Sequence, residues 1–341
     1  MVITNKNRII YIAGFPRSGT TWFANLLNSH SQTIYRHELI GRNKQIFGQS
    51  LYINMKFDNG VSDEQHATIM SCIYKAEVGT DKPPFFVKAK GSLKFPMFHL
   101  FSWLCAKTFP KLLAKPYNFF FKLTANNDYK ILMKETGEAK FIESFRNSLR
   151  PYVTLFLVRN PLGTISSHIK GINKGSMPKI TVEKKRNWLN EKIKTSPEQE
   201  DSLLQIDPTI ISDAVFLGLQ WRDHHDKIIA YCQKYDDYNV YYYDTLLIDT
   251  NSQVNQILED VGLKWEKQVG EFVAESSGES KSLNLLKKID SFDKFYSVYR
   301  DSSFKKDDWY GVITPEDIVF ITQYTAFTLE RVKQLCKVSK D

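Results

Sequence analysis

One stretch near the N-terminus, residues 8–22 (RIIYIAGFPRSGTTW), constrains the fold more than any other part of the chain. Residues 8–13 form a short apolar, β-branched run that predicts a buried strand. Residues 14–19 contain two glycines, a proline and a serine, as a tight loop does, and residues 20–29 predict a helix. Backbone N–H groups of such a loop and the positive end of the helix dipole face the same point, so this order of elements indicates an anion-binding site.

The spacing of Gly14 and Gly19 is that of a phosphate-binding loop. An ATP-type loop continues with a lysine and a hydroxyl residue, whereas this chain has Thr20 and Thr21. The missing lysine argues against ordinary ATP or GTP chemistry. Arg17 supplies a cation inside the loop, and a guanidinium beside hydroxyls suits a doubly charged group held without a metal. An ordinary strand-to-helix turn with no ligand is the alternative.

Residues 16–22 resemble the 5′-phosphosulfate loop of sulfotransferases that use 3′-phosphoadenosine 5′-phosphosulfate (PAPS). Small-molecule members usually carry lysine at the position of Arg17, whereas the tyrosylprotein and carbohydrate branches and many bacterial members carry arginine. The resemblance therefore leans towards those branches. The loop residues that it implies in donor binding are Arg17, Ser18, Gly19, Thr20, Thr21 and Trp22.

The strand predicted at residues 33–39 ends in a second polar group. Transfer to a hydroxyl needs a general base within hydrogen-bond reach of the acceptor, and His37 and Glu38 are the two candidates. Tyrosylprotein and several carbohydrate sulfotransferases have a glutamate base about this far beyond the loop, so the resemblance favours Glu38. A surface turn with ordinary charges is the alternative.

A nearly all-apolar run at residues 152–158 predicts a central parallel strand and leads into Arg159-Asn160-Pro161. In the sulfotransferase family an Arg-(Asp/Asn)-Pro sequence with a serine eight positions after the arginine binds the 3′-phosphate of PAPS. Ser167 is that eighth residue. A guanidinium and a hydroxyl suit a terminal phosphate physically as well.

The resemblance assigns two further residues. Lys134, at the end of a strand predicted over 129–135, would stabilise charge on the bridging oxygen of the leaving nucleotide; a strand-end lysine with no such role is the alternative. Small-molecule members have a catalytic histidine two residues later, where this chain has Thr136, and this favours Glu38 as the base. Tyr243 corresponds to a tyrosine near the adenine, and core packing explains it nearly as well.

Composition narrows the class of protein. The net charge is +8 and the pI about 9.0, which favours an anionic ligand, a polyanionic acceptor or a membrane surface. The basic residues are scattered without a nucleic-acid motif, and the four cysteines form no CxxC pair, so neither nucleic acid nor zinc is expected. A strand so near the N-terminus leaves no room for a signal peptide or anchor. We expect a cytoplasmic protein, with peripheral membrane contact as an option.

Residues 41–128 predict an insertion. The acceptor-facing part of sulfotransferases varies between members, so the resemblance implies that acceptor specificity lies in this insertion. Its aromatic run, residues 95–121, is too interrupted by lysine and proline to span a bilayer. Three interpretations stay open: helices that pack on the core, a lid that binds the acceptor, and a membrane-surface patch. Near the C-terminus, residues 304–309 look like a degraded form of the family's basic loop, and Arg300, Lys305 and Lys306 are its candidates for a 3′-phosphate contact.

Together these patterns predict one α/β domain over residues 1–341, a P-loop-like three-layer fold with a central parallel sheet flanked by helices. The resemblance implies sulfuryl transfer from PAPS, without a metal, to a hydroxyl of a carbohydrate, lipid-linked or similar acceptor. Glu38, Lys134 and Arg17 would be catalytic, and Arg159, Ser167 and Tyr243 would join the loop in donor binding. The alternatives are a P-loop nucleotide kinase and a non-catalytic nucleotide-binding protein of the membrane surface.

Overall fold

The structure is a computed structural model, and it describes residues 9–39, 73–123, 129–136, 153–195, 206–276 and 309–336, with six isolated positions between them. Several sequence predictions lie wholly or mostly outside these residues. These are the first part of the insertion, a helix that the amphipathic spacing of residues 138–149 predicts, and the basic candidates Arg300, Lys305 and Lys306.

A five-stranded parallel sheet forms the centre of the protein. Its strands, in chain order, are β1 (Ile9–Ala13), β2 (Thr33–His37), β3 (Lys130–Glu135), β4 (Val153–Val158) and β5 (Tyr238–Tyr242). They lie in the order β2-β3-β1-β4-β5, and every neighbouring pair is parallel. All five carboxyl ends therefore meet at one edge, where ligands bind in open α/β sheets.

Helices cover both faces of this sheet. In chain order they are α1 (Thr20–Asn28), α2 (Pro96–Thr108), α3 (Pro110–Phe121), α4 (Pro161–Asn173), α5 (Val182–Thr195), α6 (Asp213–Lys234), α7 (Tyr243–Leu246), α8 (Thr250–Asp260), α9 (Lys267–Ser276) and α10 (Pro315–Leu335). No helix of the described residues has the length and hydropathy to cross a bilayer.

The strand pattern explains the three layers. Successive side chains of a strand point to opposite faces, so β1 sends Ile10 and Ile12 into one apolar cluster and Tyr11 into another. The first cluster includes α1, α8 and α9, and the second includes α2, α3 and α6. Both faces of β1 and β4 are buried, as a parallel sheet requires. The predicted fold class, an α/β protein with a central parallel sheet between helices, is confirmed.

Strand β5 ends sooner than the sequence pattern predicts. The run 239–244 predicts strand throughout, but β5 stops at Tyr242, and Tyr243 begins the short helix α7. The Asp244 carboxylate accepts a hydrogen bond from the Asn160 N–H at 3.2 Å, which joins the end of β5 to the end of β4. This bond between distant residues accompanies the turn and is invisible to a local pattern.

Candidate active site

The loop after β1 has the compact form that its glycines require. A Cβ on Gly14 would lie 2.6 Å from the Leu157 carbonyl oxygen, and one on Gly19 would lie 2.6 Å from the Tyr243 ring. Gly19 also has a φ of 97°, which side chains other than glycine rarely adopt. Arg17 has a φ of 75°, so an arginine occupies a left-handed position within this loop. The loop is thus wedged between the β4 strand and Tyr243.

Helix α1 begins without a side-chain cap. Its N-cap residue is Gly19, which has no side chain to accept a hydrogen bond from the first turn, and that turn contains no acidic residue. The positive end of the helix dipole is therefore not neutralised by the helix itself. Together with the loop it offers N–H donors to an anion, as the sequence predicts.

Arg17, Ser167 and Arg159 meet beside this loop. The Arg17 Nε donates a hydrogen bond to the Ser167 Oγ at 3.3 Å, and the Arg159 Nη1 donates to the Arg17 carbonyl oxygen at 3.5 Å. These contacts join the glycine loop and the motif that begins at Arg159, although about 140 residues separate them along the chain. Two guanidinium groups in one place create a strong site for a polyanion.

Two buried polar atoms at this place have no hydrogen-bond partner among the described residues. They are the Ser18 Oγ and the Arg159 Nε. Buried polar groups are almost always paired, so an unpaired donor in a concave site needs an explanation. An anionic group between the loop and Arg159 would satisfy both.

Aromatic rings enclose the Arg159 side of the site. The Arg159 guanidinium lies 4.7 Å from the centre of the Tyr243 ring, and Trp22 meets the same ring edge-on at 5.7 Å. The Trp22 Nε1 donates to the Ser276 Oγ at 3.0 Å, which fixes the indole. Tyr243 is therefore part of the site, and its contact with an adenine stays a prediction.

Glu38 and Lys134 form an ion pair at the ends of β2 and β3. The Lys134 Nζ donates to the Glu38 Oε1 at 2.6 Å, and the Thr136 Oγ1 donates to the same oxygen at 3.0 Å. The Glu38 N–H donates to the Lys134 carbonyl oxygen at 2.8 Å. Lys134 of β3 pairs with Ile12 of β1. Lys134 therefore lies on the strand next to β1, which leads into the loop.

The charge state of Glu38 follows from its neighbours. Burial alone would raise the pKa of Glu38, but the charges of Lys134 and His37, with the hydrogen bonds from Lys134 and Thr136, outweigh it and lower the pKa to about 2. The group is therefore a carboxylate at neutral pH, but a weak base while Lys134 stays bound to it.

His37, the alternative base, is already engaged. Its Nδ1 lies 2.6 Å from the Tyr35 hydroxyl, and its Nε2 lies 3.7 Å from the Glu38 Oε2. The His37 side chain is 3% exposed against 26% for that of Glu38. Glu38 is thus the more accessible of the two, and His37 lies behind it.

Three polar contributors to this edge were missed by sequence reasoning. Asn160 caps α4, because its Oδ1 accepts the Leu162 N–H at 2.9 Å; the Asn-Pro pair at a helix start is the signal that could have found this cap. The Ser166 Oγ and the His168 Nδ1 are buried and unpaired among the described residues. Burial, followed by the charges of Lys184 and Arg17, lowers the pKa of His168 to about 4.

Two histidines of α6 lie beneath the loop. His224 and His225 are adjacent in sequence, which suggests that they face different sides, yet both rings pack against Phe15, with ring centres 5.5 and 6.3 Å from it. Helix α6 is buried around most of its circumference, so both sides of it meet apolar neighbours. Across the part of the chain that is described, no group of three or more His, Cys, Asp or Glu side chains is arranged to hold a metal ion.

No protein-family model matches the sequence, and no curated protein matches it. Solved structures do resemble the fold at low sequence identity. The sulfotransferase domain of the Synechococcus PCC 7002 olefin synthase is 13% identical, with 93% of this chain and 94% of that chain covered and a TM-score of 0.44. A sulfotransferase from Alicyclobacillus acidocaldarius is 10% identical, with 97% and 96% covered and a TM-score of 0.44. Mouse sulfotransferase SULT7A1, complexed with PAP, is 12% identical, with 96% and 88% covered and a TM-score of 0.43. All three of these structures are sulfotransferases.

Proposed function

We propose that the protein transfers a sulfuryl group from PAPS to a hydroxyl group of an acceptor. The observation that carries this proposal is the contact of Arg17 with Ser167 and Arg159, which unites the two sequence motifs into one cationic site. The unpaired Ser18 Oγ and Arg159 Nε support it independently, because each is a buried donor that a phosphate oxygen would satisfy.

Different residues would bind different parts of the donor. The 5′-phosphosulfate would be held by the loop amides, Ser18, Thr20, Thr21 and the start of α1, and Arg17 would neutralise its negative charge. Arg159 and Ser167 would hold the 3′-phosphate, and Trp22 and Tyr243 would flank the nucleotide. PAPS supplies the sulfuryl group, and the proposed site needs no metal, because the positive charges come from side chains.

Glu38 would take the proton of the acceptor hydroxyl as the new S–O bond forms and the bond to the phosphate oxygen breaks. With a pKa of about 2 in the free chain, it is a poor base. Lys134 holds one of its oxygens, and the same Nζ is the proposed donor to the bridging oxygen of the leaving nucleotide. If the nucleotide draws Lys134 away, the pKa of Glu38 rises. The base would thus strengthen only when the donor is bound.

The acceptor belongs to the proposal as well. The arginine in the loop and the glutamate base favour a carbohydrate or lipid-linked hydroxyl over a small phenol, in line with the branches whose motifs these residues resemble. The cytoplasmic location expected from the sequence is likewise proposed, as is the single domain over residues 1–341 with acceptor contacts in the insertion.

Transfer of radioactive sulfur from PAPS to a total lipid and glycan extract tests the function. The wild-type chain should label an acceptor without added magnesium, and Glu38→Gln should lower the rate by at least about a hundredfold, as expected for loss of a general base. Glu143→Gln is the matched control, because Glu143 is a carboxylate paired with Lys234 at the surface. Equal rates for the two variants would overturn the assignment of Glu38, and no labelling by wild type, with magnesium-dependent use of ATP instead, would overturn the function.

A further inference from the structure

The helix pair α2–α3 presents an unusual outer surface. Nine of the eighteen strongly exposed large apolar side chains of the described residues lie between Phe95 and Phe120. Soluble proteins scatter such side chains singly, and a concentration of them marks an interaction site. None of the residues proposed to bind the donor or to take the acceptor's proton lies on this surface.

The apolar side chains form a stripe on each helix. On α2 the exposed Met97, Phe101 and Leu104 recur at helical spacing, while Trp103 and Ala106 on another side of the helix are buried in the core. Folding has thus used one face of α2 for the core and left a second apolar face uncovered by any described residue. A core helix would need only the first.

Helix α3 repeats this arrangement and adds charge. Leu112, Phe119 and Phe120 lie along its exposed face. Lys111 and Lys115 are four residues apart and border this stripe along the helix. From residue 82 to 127 the sequence has eight lysines and neither aspartate nor glutamate. An apolar stripe bordered by lysines is complementary to an anionic lipid surface, where aromatic rings enter the interface and lysines meet the headgroups.

The helix pair is fixed to the catalytic edge of the sheet. The Trp103 Nε1 donates to the carbonyl oxygens of Val78 and Asp81, and the Tyr117 hydroxyl donates to the Asp81 carboxylate at 2.8 Å. The neighbouring Thr80 carbonyl oxygen accepts the His37 N–H at 2.9 Å. The segment 78–81 therefore connects α2 and α3 to the residue that precedes Glu38.

We propose that the exposed face of α2 and α3 docks on the surface of an anionic lipid bilayer, with its aromatic side chains in the interface and its lysines on the headgroups. Helices of 13 and 12 residues are too short to cross a bilayer, so the contact is peripheral. The docking surface does not depend on the proposed chemistry. If the proposed function also holds, docking would bring a lipid-linked acceptor to the Glu38 side of the site.

Flotation of the full chain with vesicles tests the proposal. It should float with vesicles of phosphatidylcholine containing a quarter phosphatidylglycerol, remain unbound with phosphatidylcholine alone, and lose binding in molar salt. The affinity of the variant Leu112→Ser/Phe119→Ser for these vesicles should fall by at least about tenfold. Ile210→Ser/Ile248→Ser is the matched control, since its side chains are 79% and 84% exposed against 74% and 81% for Leu112 and Phe119.

Circular dichroism and nucleotide affinity should be unchanged in both variants, so that a loss of flotation reports the surface alone. Equal flotation of the two variants, or no flotation of wild type with anionic vesicles, would overturn the proposal. A wild-type dimer that Leu112→Ser/Phe119→Ser converts to a monomer, without vesicle binding, would assign the face to a second copy of the chain and would also overturn it. Absence of sulfuryl transfer would leave the flotation result intact.

Discussion

At the residue scale, the ion pair of Glu38 and Lys134 makes the free energy of unfolding depend on pH in the acid range. The pKa of Glu38 is about 2 in the folded chain against 4.5 as its ordinary value. A depressed pKa stabilises the fold above pH 4.5, and this stabilisation is lost as the pH falls towards 2. From pH 7 to pH 3 the lost contribution is about 2 kcal/mol.

Urea unfolding at these two pH values measures the effect. Wild type should lose about 2 kcal/mol more of its unfolding free energy than Glu38→Gln does, because the amide does not titrate. The matched control Glu143→Gln should keep the wild-type difference, since it leaves Glu38 in place. If Glu38→Gln retained the full pH dependence, the pairing with Lys134 would be wrong.

Arg159 makes a separate prediction about the ligand. Arg159→Ala should weaken the binding of adenosine 3′,5′-bisphosphate by about tenfold to a hundredfold, the range expected for lost charge-assisted hydrogen bonds. Binding of AMP, which has no 3′-phosphate, should change much less. Titration calorimetry with both nucleotides measures the difference.

Arg222→Ala serves as the control for this experiment, because Arg222 also stacks on a tyrosine ring, 4.5 Å from the centre of Tyr324. It should bind both nucleotides as wild type does. Equal losses of bisphosphate and AMP in Arg159→Ala would show that Arg159 does not hold the 3′-phosphate.

At the element scale, the loop between β1 and α1 depends on Gly19 for two reasons. Its φ is 97°, and a Cβ would lie 2.6 Å from the Tyr243 ring. Gly19→Ala should therefore lower the unfolding free energy by more than the roughly 1 kcal/mol expected of backbone strain alone, and it should weaken nucleotide binding.

Gly175→Ala separates these two causes, because Gly175 has a φ of 70° and no atom within 4 Å of its Cβ position. This variant should show the strain cost without the clash, when both are measured by urea unfolding. If the two alanine variants were equally stable, Tyr243 would not press on the loop.

Local patterns carried much of the element-scale prediction. Strand β1, its loop and α1 could be predicted because apolar runs and glycine spacing are local. The patterns at 211–235 and 314–336 predict helices in the same way, and α6 and α10 lie within those bounds. The exposed face of α2 and α3 could not be predicted, because a run with aromatics on every side of the helix does not indicate which side packs on the core.

The candidate site shows the same division. Glu38, Lys134, Arg17 and Arg159 could be chosen from position and residue type, but the hydrogen bond from Lys134 to Glu38 joins residues 96 positions apart. The low pKa of Glu38 follows from that bond, so it was invisible in the sequence. Thr136, which the sequence marks only as not being histidine, is a donor to Glu38.

At the scale of the whole molecule, the parallel sheet brings distant segments to one edge. The order β2-β3-β1-β4-β5 sets the ion pair of Glu38 and Lys134 on one side of the phosphate loop and Arg159 with Tyr243 on the other. The sequence predicted a parallel sheet but not this strand order, which depends on contacts between distant strands. The single-domain organisation of residues 1–341 stays a prediction.

Thermal unfolding with nucleotides tests most directly whether the site of Arg17 and Arg159 binds a nucleotide with a 3′-phosphate. Adenosine 3′,5′-bisphosphate at about a hundred times its dissociation constant should stabilise the chain by about 2.7 kcal/mol. This should occur without magnesium, because the cationic site of Arg17 and Arg159 supplies the charge. ADP and ATP with magnesium should shift the midpoint little at the same concentration. Stabilisation by ATP with magnesium and none by the bisphosphate would contradict the account.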